Sequence, residues 1–327
     1  MHKRHKIKFV YVYLALLLIL VIGVFVYSFL RPSDEPSGEA HGVNDGTSLN
    51  LSTDESPDYD DYYDQEEPIE EPPSYILLNM NPFDVFTGYL ILVNHTYAFD
   101  PPQDTGLASL LVESTGAYNV LGANHYFRRS LIPTLDAMMA AYTEETGGTR
   151  VAIISAYRGM AAQQSVLDDH VNRLGYEEAR RWVALPGHSE HHTGLAIDLG
   201  IYSDGYRSTF TGTGVTAWFR ENAHRFGFIL RFPYNSFETT LTAYEPWHFR
   251  YIGTPHSHIV FQNELLLEDY IEYLRGYTVD DPLVFELDGN VYEIFFTDEL
   301  EIRLPLGSVY EVSGNNVDGF IVTLVST

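Results

Sequence analysis

The chain has 327 residues, 45% of them hydrophobic and 14% aromatic, enough for one large domain or two smaller ones with a proper core. Its net charge of −26 excludes a nucleic-acid binder working through a basic footprint. The absence of cysteine excludes disulfides and thiolate metal sites.

Lys3, Arg4, Lys6 and Lys8 make residues 1–8 a basic stub. Residues 9–30 then carry no charge. As a helix they would span about 33 Å, against roughly 30 Å for a bilayer core. The positive-inside rule puts the N-terminus in the cytoplasm and everything after residue 30 outside. A cleaved signal peptide is the competing reading, but its apolar region would be about 7–15 residues long and end at a small-x-small site. No such site follows Leu30. The expectation is a single-pass membrane anchor with an extracytoplasmic body. Residues 31–75 hold fourteen Asp or Glu against one Arg, half of the net charge, among Ser and Pro without periodicity. Such a segment cannot bury enough apolar surface to offset its ordering entropy, so it reads as a solvated tether.

Compact structure is expected from about residue 76. Residues 90–94 look like a first strand. Leu131, Leu135, Met138 and Tyr142 recur on one helical face, ended by Gly147-Gly148. Residues 151–155 read as a buried strand, 159–174 as a helix closed by Gly175, and 176–184 as a second short helix. A strand over 195–201, a helix over 215–226 and a strand over 247–252 follow. Leu267, Tyr270, Ile271 and Leu274 give a last helical stripe. Helices and strands mix without strict βαβ alternation, so the fold class is α+β, with a main domain over 76–275. Residues 276–327 differ, with strand-like runs at 283–287, 291–296, 300–304, 309–312 and 320–325 and a hairpin signal at Asp288-Gly289. This β-rich region carries no catalytic pattern and is small enough to need docking.

The chemistry concentrates in Ser189-Glu190-His191-His192-Thr193-Gly194-Leu195-Ala196-Ile197-Asp198 and in Glu245-Pro246-Trp247-His248. Two imidazoles, one carboxylate and a spare glutamate are the parts of a hydrolytic zinc site, in which a fourth position is kept for water and a free carboxylate takes its proton. Strand alternation puts Asp198 beside Ala196 on one face, with Leu195, Ile197 and Leu199 on the other. It likewise puts His248 and Arg250 opposite Trp247, Phe249 and Tyr251. Two His and one carboxylate also form the iron facial triad, but that chemistry has no need of the spare glutamate. His192 should point away from its neighbour, and His188, His256 and His258 read as loop residues without a role. Asn94-His95-Thr96 matches a glycosylation acceptor, discounted in a bacterial setting.

The pattern Ser189-x-His191-x-x-Gly194-x-Ala196-x-Asp198, then Glu245-x-Trp247-His248, resembles the zinc D-Ala-D-Ala carboxypeptidases and dipeptidases of vancomycin resistance, the VanY type. Ser155-Ala156-Tyr157-Arg158 and Gln163 resemble that family's upstream element, and the likeness covers roughly residues 76–275. It implies a small zinc peptidase fold of helices and antiparallel sheet, with one Zn2+ held by His191, Asp198 and His248. It implies Glu245 as general base and acid, Arg158 on the substrate's terminal carboxylate or the oxyanion, and Gln163 and Ser189 positioning the peptide. Gly159 and His192 depart from the family's more frequent serine and glutamine. The implied activity is removal of the terminal D-Ala from peptidoglycan stem peptides ending in D-Ala-D-Ala. A dipeptidase, an L-Ala-D-Glu endopeptidase and a catalytically silent wall-binding protein would share the ligands and stay open at this point.

Overall fold

The computed structural model describes residues 74–99 and 106–326. The expected anchor over 9–30 and nearly all of the tether over 31–75 lie outside the described residues. Among the described residues, no helix is long and apolar enough to cross a membrane. All of them belong to one compact unit, Glu70–Thr327.

Strands β1 (Tyr75–Asn79), β2 (Leu107–Ser109), β3 (Asn119–Val120) and β4 (Tyr126–Arg128) precede helix α1 (Ile132–Thr146). Strand β5 (Val151–Ser155) leads into α2 (Met160–Leu174), which Gly175 ends as its apolar periodicity stops. Then come β6 (Ala196–Ser203), β7 (Tyr206–Ser208), α3 (Ala217–Asn222), β8 (Phe228–Leu230) and β9 (His248–Tyr251). The central sheet runs β3-β5-β6-β9-β8, with β7 pairing β6; β3 is parallel to β5 and the other pairs are antiparallel. Its apolar face carries Ile153, Leu195, Ile197, Leu199 and Phe249 against Leu135, Met138 and Tyr142 of α1. This is the mixed helix and antiparallel-sheet architecture expected of an α+β domain.

Helices α4 (His256–Gln262) and α5 (Leu267–Leu274) lead into β10 (Leu283–Leu287), β11 (Asn290–Thr297), β12 (Glu301–Pro305), β13 (Val309–Gly314) and β14 (Phe320–Ser326). Four of these form the sheet β10-β11-β14-β13. Asp288 and Gly289 both have positive φ, 52° and 83°, as a two-residue hairpin with the right twist requires. The β-rich region is docked. The α5 stripe Leu267, Tyr270, Ile271 and Leu274 shares a buried cluster with Ile294 and Ile321, and β12 leaves its neighbours to pair with β1, Tyr75 opposite Pro305. The change of character near residue 276 is a change of secondary structure across which one core cluster continues.

Four expectations need correction. Residues 90–93 have no regular secondary structure and Asn94 lies in a bend, so the expected strand is absent. Leu90 N and Leu92 N are bonded by Ser313 Oγ and Asn315 O, at 2.9 and 3.0 Å, in place of a strand partner. Leu90 and Leu92 enter one core cluster while Ile91 and Val93 enter another, so both faces are apolar and the run imitates a buried strand. The helix expected over 215–226 is broken into α3 between two short 3-10 turns, and the one expected over 176–184 stops at Ala179. His256 and His258 sit on α4, and His256 is buried between Tyr270 Oη and Thr323 Oγ1.

Candidate metal centre and active site

Adjacent strands put Ser155 opposite Asp198, and Asp198 opposite His248, so one row across the polar face of the sheet carries all three. His191 arrives from a 3-10 turn, Glu190–Thr193, that ends at Gly194 with φ 68°. That left-handed residue turns the chain into β6, and a Cβ there would lie 2.6 Å from Leu107 Cδ2. The turn is pinned by Thr193 Oγ1 donating to Glu190 O at 2.6 Å and Arg158 N donating to His191 O at 3.0 Å.

The nitrogens of the two imidazoles divide cleanly. His191 Nδ1 donates to Ala156 O at 2.6 Å, so Nε2, 3.2 Å from Asp198 Oδ2, is left with its lone pair. His248 Nε2 donates to Glu190 Oε2 at 3.1 Å, so in the neutral ring it is Nδ1, 3.0 Å from Asp198 Oδ1, that carries the lone pair. Lone pairs aimed at a carboxylate repel it unless a cation stands between them. The ligand atoms of His191, Asp198 and His248 all lie within 4.8 Å of one another, and ligands about 2.0–2.2 Å from a tetrahedral ion sit roughly 3.3 Å apart. The residues fit a divalent cation. Glu245 stands beside the set with Oε2 3.9 Å from His248 Nδ1.

The electrostatics agree. Burial pushes His191 down to about 4, so it is neutral at pH 7. Burial would also lower His248, but Asp198 and Glu190 outweigh it and raise it to about 9. Without a metal, a proton therefore stands between the His248 ring and its two carboxylates. That proton's stabilisation is fully present below the ordinary 6.5 and is lost as pH rises through about 9. Zinc uptake at pH 7.5 is expected to release a proton, and zinc affinity to increase with pH up to about 9; a pH-indicator titration in weak buffer checks both. Burial first, then the Asp198 charge against the opposing His248 and Arg158, carries the Glu245 carboxyl up to about 8.

Arg158 is held from two sides, NH2 donating to Ser155 Oγ at 2.7 Å and NH1 to Gln163 Oε1 at 2.9 Å. Its NH2 lies 3.6 Å from Asp198 Oδ2. Gln163 is buried and its Nε2 donates to Ala184 O at 2.8 Å, so it braces Arg158 from behind. Ser189 begins the 3-10 turn without capping it and lines the cavity. His192 donates to Arg158 O and accepts from Gly187 N, which keeps it out of the donor set. A cavity of about 860 Å³ opens over the site, walled by Arg158, Trp182, Phe237 and Trp247; the two indoles are stacked 6.4 Å apart.

Sequence reasoning gave Glu190 no role. The structure buries it against His248 and two arginines, Arg231 and Arg250. The available signal was Arg250, which strand alternation puts on the same face as His248 and which needs a carboxylate wherever that face is buried.

Comparison with known proteins adds to this geometry. A family profile described as D-alanyl-D-alanine carboxypeptidase (VanY) matches residues 124–254. A D-alanyl-D-alanine carboxypeptidase of Enterococcus faecium is 35% identical over 251 residues, covering 73% of this chain and 76% of that one. The bifunctional D-Ala-D-Ala dipeptidase and D-Ala-D-Ala carboxypeptidase VanXYC of Enterococcus gallinarum is 36% identical over 128 residues, 38% of this chain and 67% of that one. The crystal structure of the vancomycin-resistance D,D-dipeptidase VanXYg with a D-Ala-D-Ala phosphinate analogue matches with a TM-score of 0.69 at 31% identity, over 77% of this chain and 99% of that one.

Proposed function

Because the chain belongs to the VanY family of D-alanyl-D-alanine carboxypeptidases, we propose that it uses zinc to remove the C-terminal D-alanine from peptidoglycan stem peptides ending in D-Ala-D-Ala. The observation that carries this reading is the convergence of His191 Nε2, Asp198 and His248 Nδ1, with the buried Glu245 carboxylate beside them. Zinc held by these three residues supplies an acidified water and polarises the scissile carbonyl. Glu245 takes the proton of the attacking water and passes it to the departing amine nitrogen, so water and amide become carboxylate and amine. Arg158 offers the planar fork that suits a terminal carboxylate or a developing oxyanion, and Ser155 and Gln163 hold that fork in place. Gln163 then acts through Arg158 instead of touching the peptide itself.

A second reading has one observation in its favour: the matching VanXYg structure is that of a D,D-dipeptidase. Mass spectrometry of a stem pentapeptide and of free D-Ala-D-Ala, each incubated with the full chain and zinc, decides between them. Release of D-Ala from the pentapeptide supports the carboxypeptidase, release from the dipeptide alone supports the second reading, and release from neither sinks both. Within the first reading, Arg158→Lys keeps the charge but loses the fork. It is expected to lower kcat/KM about 30-fold, equivalent to about 2 kcal/mol for a charged hydrogen bond; unchanged steady-state kinetics would remove Arg158 from the site.

The uncharged run over residues 9–30 motivates a location outside the cytoplasmic membrane, held by that segment. Fractionation of cells carrying the full chain or a form without residues 1–30 tests it, and equal partitioning of the two would refute it.

A further inference from the structure

We propose that Glu190 is the positioning residue that fixes the ring and tautomer of His248 for the metal, and that Arg231 and Arg250 fix Glu190 in turn. The proposal rests on the reading of His191, Asp198 and His248 as cation ligands. It goes beyond that reading by naming what aims the third ligand.

The two oxygens of Glu190 have separate tasks. Oε1 accepts from Arg231 Nε at 2.8 Å and from Arg250 NH1 at 2.9 Å, while Oε2 accepts from His248 Nε2 at 3.1 Å. A carboxylate can only accept, so Nε2 must carry the hydrogen and Nδ1 is left to face the metal position. The carboxylate cannot swing away, because both arginines are themselves anchored. Arg231 grips Glu268 of α5 with both terminal nitrogens, at 2.9 and 2.6 Å. Arg250 NH2 donates to Tyr89 O at 3.0 Å and Ile91 O at 2.8 Å. The guanidiniums are almost wholly buried, 1% and 0% exposed, and two carboxylates balance them.

The far anchors all lie outside the stretch matched by the family profile, residues 124–254. Glu268 comes from α5, the last helix before the C-terminal β-rich region, and its Oε1 also accepts from Asn94 Nδ2 at 3.1 Å. Tyr89 and Ile91 belong to the irregular segment whose side chains divide between two core clusters. Both flanks of the catalytic sheet thus reach the second histidine through one carboxylate. A buried ion network serving structure alone would satisfy the arginines and have no cause to spend an oxygen on a ligand's far nitrogen.

Two substitutions in the full chain test the role. Glu190→Gln has one acceptor oxygen, which cannot serve the arginines and His248 together. Glu190→Asp keeps the charge but is too short to span from the arginine pair to Nε2. Zinc affinity measured by competition with a chelating dye is expected to fall 10–100-fold in both, the range for lost partners of metal-bound histidines. Long-range 15N–1H correlation spectra are expected to show the Nε2–H form of His248 in the wild-type zinc protein and its loss in the variants. Should Glu190→Gln fail to fold, Glu190→Asp decides. Folded variants that bind zinc within twofold of wild type and keep the Nε2–H form would overturn the proposal while leaving the metal reading intact. A wild-type chain that binds no zinc would overturn the metal reading, and this role with it.

Discussion

Glu245→Gln is expected to lower kcat for D-alanine release by on the order of 10²–10⁴, the contribution of a positioned proton-transfer group, while the chain still binds zinc. The amide nearly matches the carboxylate in shape, so the 3.9 Å approach to His248 Nδ1 survives. What disappears is the only means Glu245 has of accepting a proton. Burial already makes this carboxyl a stronger base than an ordinary glutamate, up to about 8 without metal. A dication held by His191, Asp198 and His248 would draw that value down toward the working pH, where a general base is most effective. KM should change little, because Glu245 is not placed on the substrate's terminal carboxylate. Zinc content by elemental analysis, run beside single-turnover kinetics, checks the pair of outcomes. Activity within tenfold of wild type would take proton transfer away from Glu245.

Asp198→Ala is expected to abolish activity by removing the metal itself. Zinc binding is worth about 10–16 kcal/mol in structural sites, roughly 3 kcal/mol for each of four ligands, so affinity should weaken on the order of 10²-fold or more. A second cost comes from the charges left behind. Asp198 lies 3.6 Å from Arg158 NH2, 3.2 Å from His191 Nε2 and 3.0 Å from His248 Nδ1. Burial would raise its carboxyl, yet His191 and His248 outweigh burial and hold it well below the usual range. Removing one partner of such a buried set destabilises by about 3–5 kcal/mol. The metal-free variant should therefore melt lower than the metal-free wild type, and by more at pH 6 than at pH 10, above the value of about 9 at which wild-type His248 gives up its proton. Calorimetry at the two pH values measures this. Equal melting temperatures throughout would mean that Asp198 is not paired with the imidazoles.

Much of this was legible in the residues. Helix α1 shows its apolar period and its closing glycine, and Gly147 takes the left-handed conformation that ends it. The Asp288-Gly289 turn announces its hairpin because few other pairs tolerate two positive φ values. Strand alternation correctly places Phe249 in the core and His248 with Arg250 on the polar face. Three things were not legible, for one physical reason: each depends on a partner remote in sequence. Residues 90–94 look like a strand because both faces are apolar, but their backbone bonds go to residues 313 and 315. The pairing of β1 with β12 joins segments more than 200 residues apart, which no local period records. Glu190 reads as an ordinary motif position until Arg231, just past β8, and Arg250 of β9 reach it.

The pairing of Tyr75–Asn79 with Glu301–Pro305 also has a mechanical meaning. Tension applied to the polypeptide ahead of Tyr75 meets that five-residue ladder first, on strands that take no part in the catalytic sheet. Peeling the ladder would slacken the chain by several residues before any load reached the histidines. The active centre is thereby shielded from tugging at its leading end.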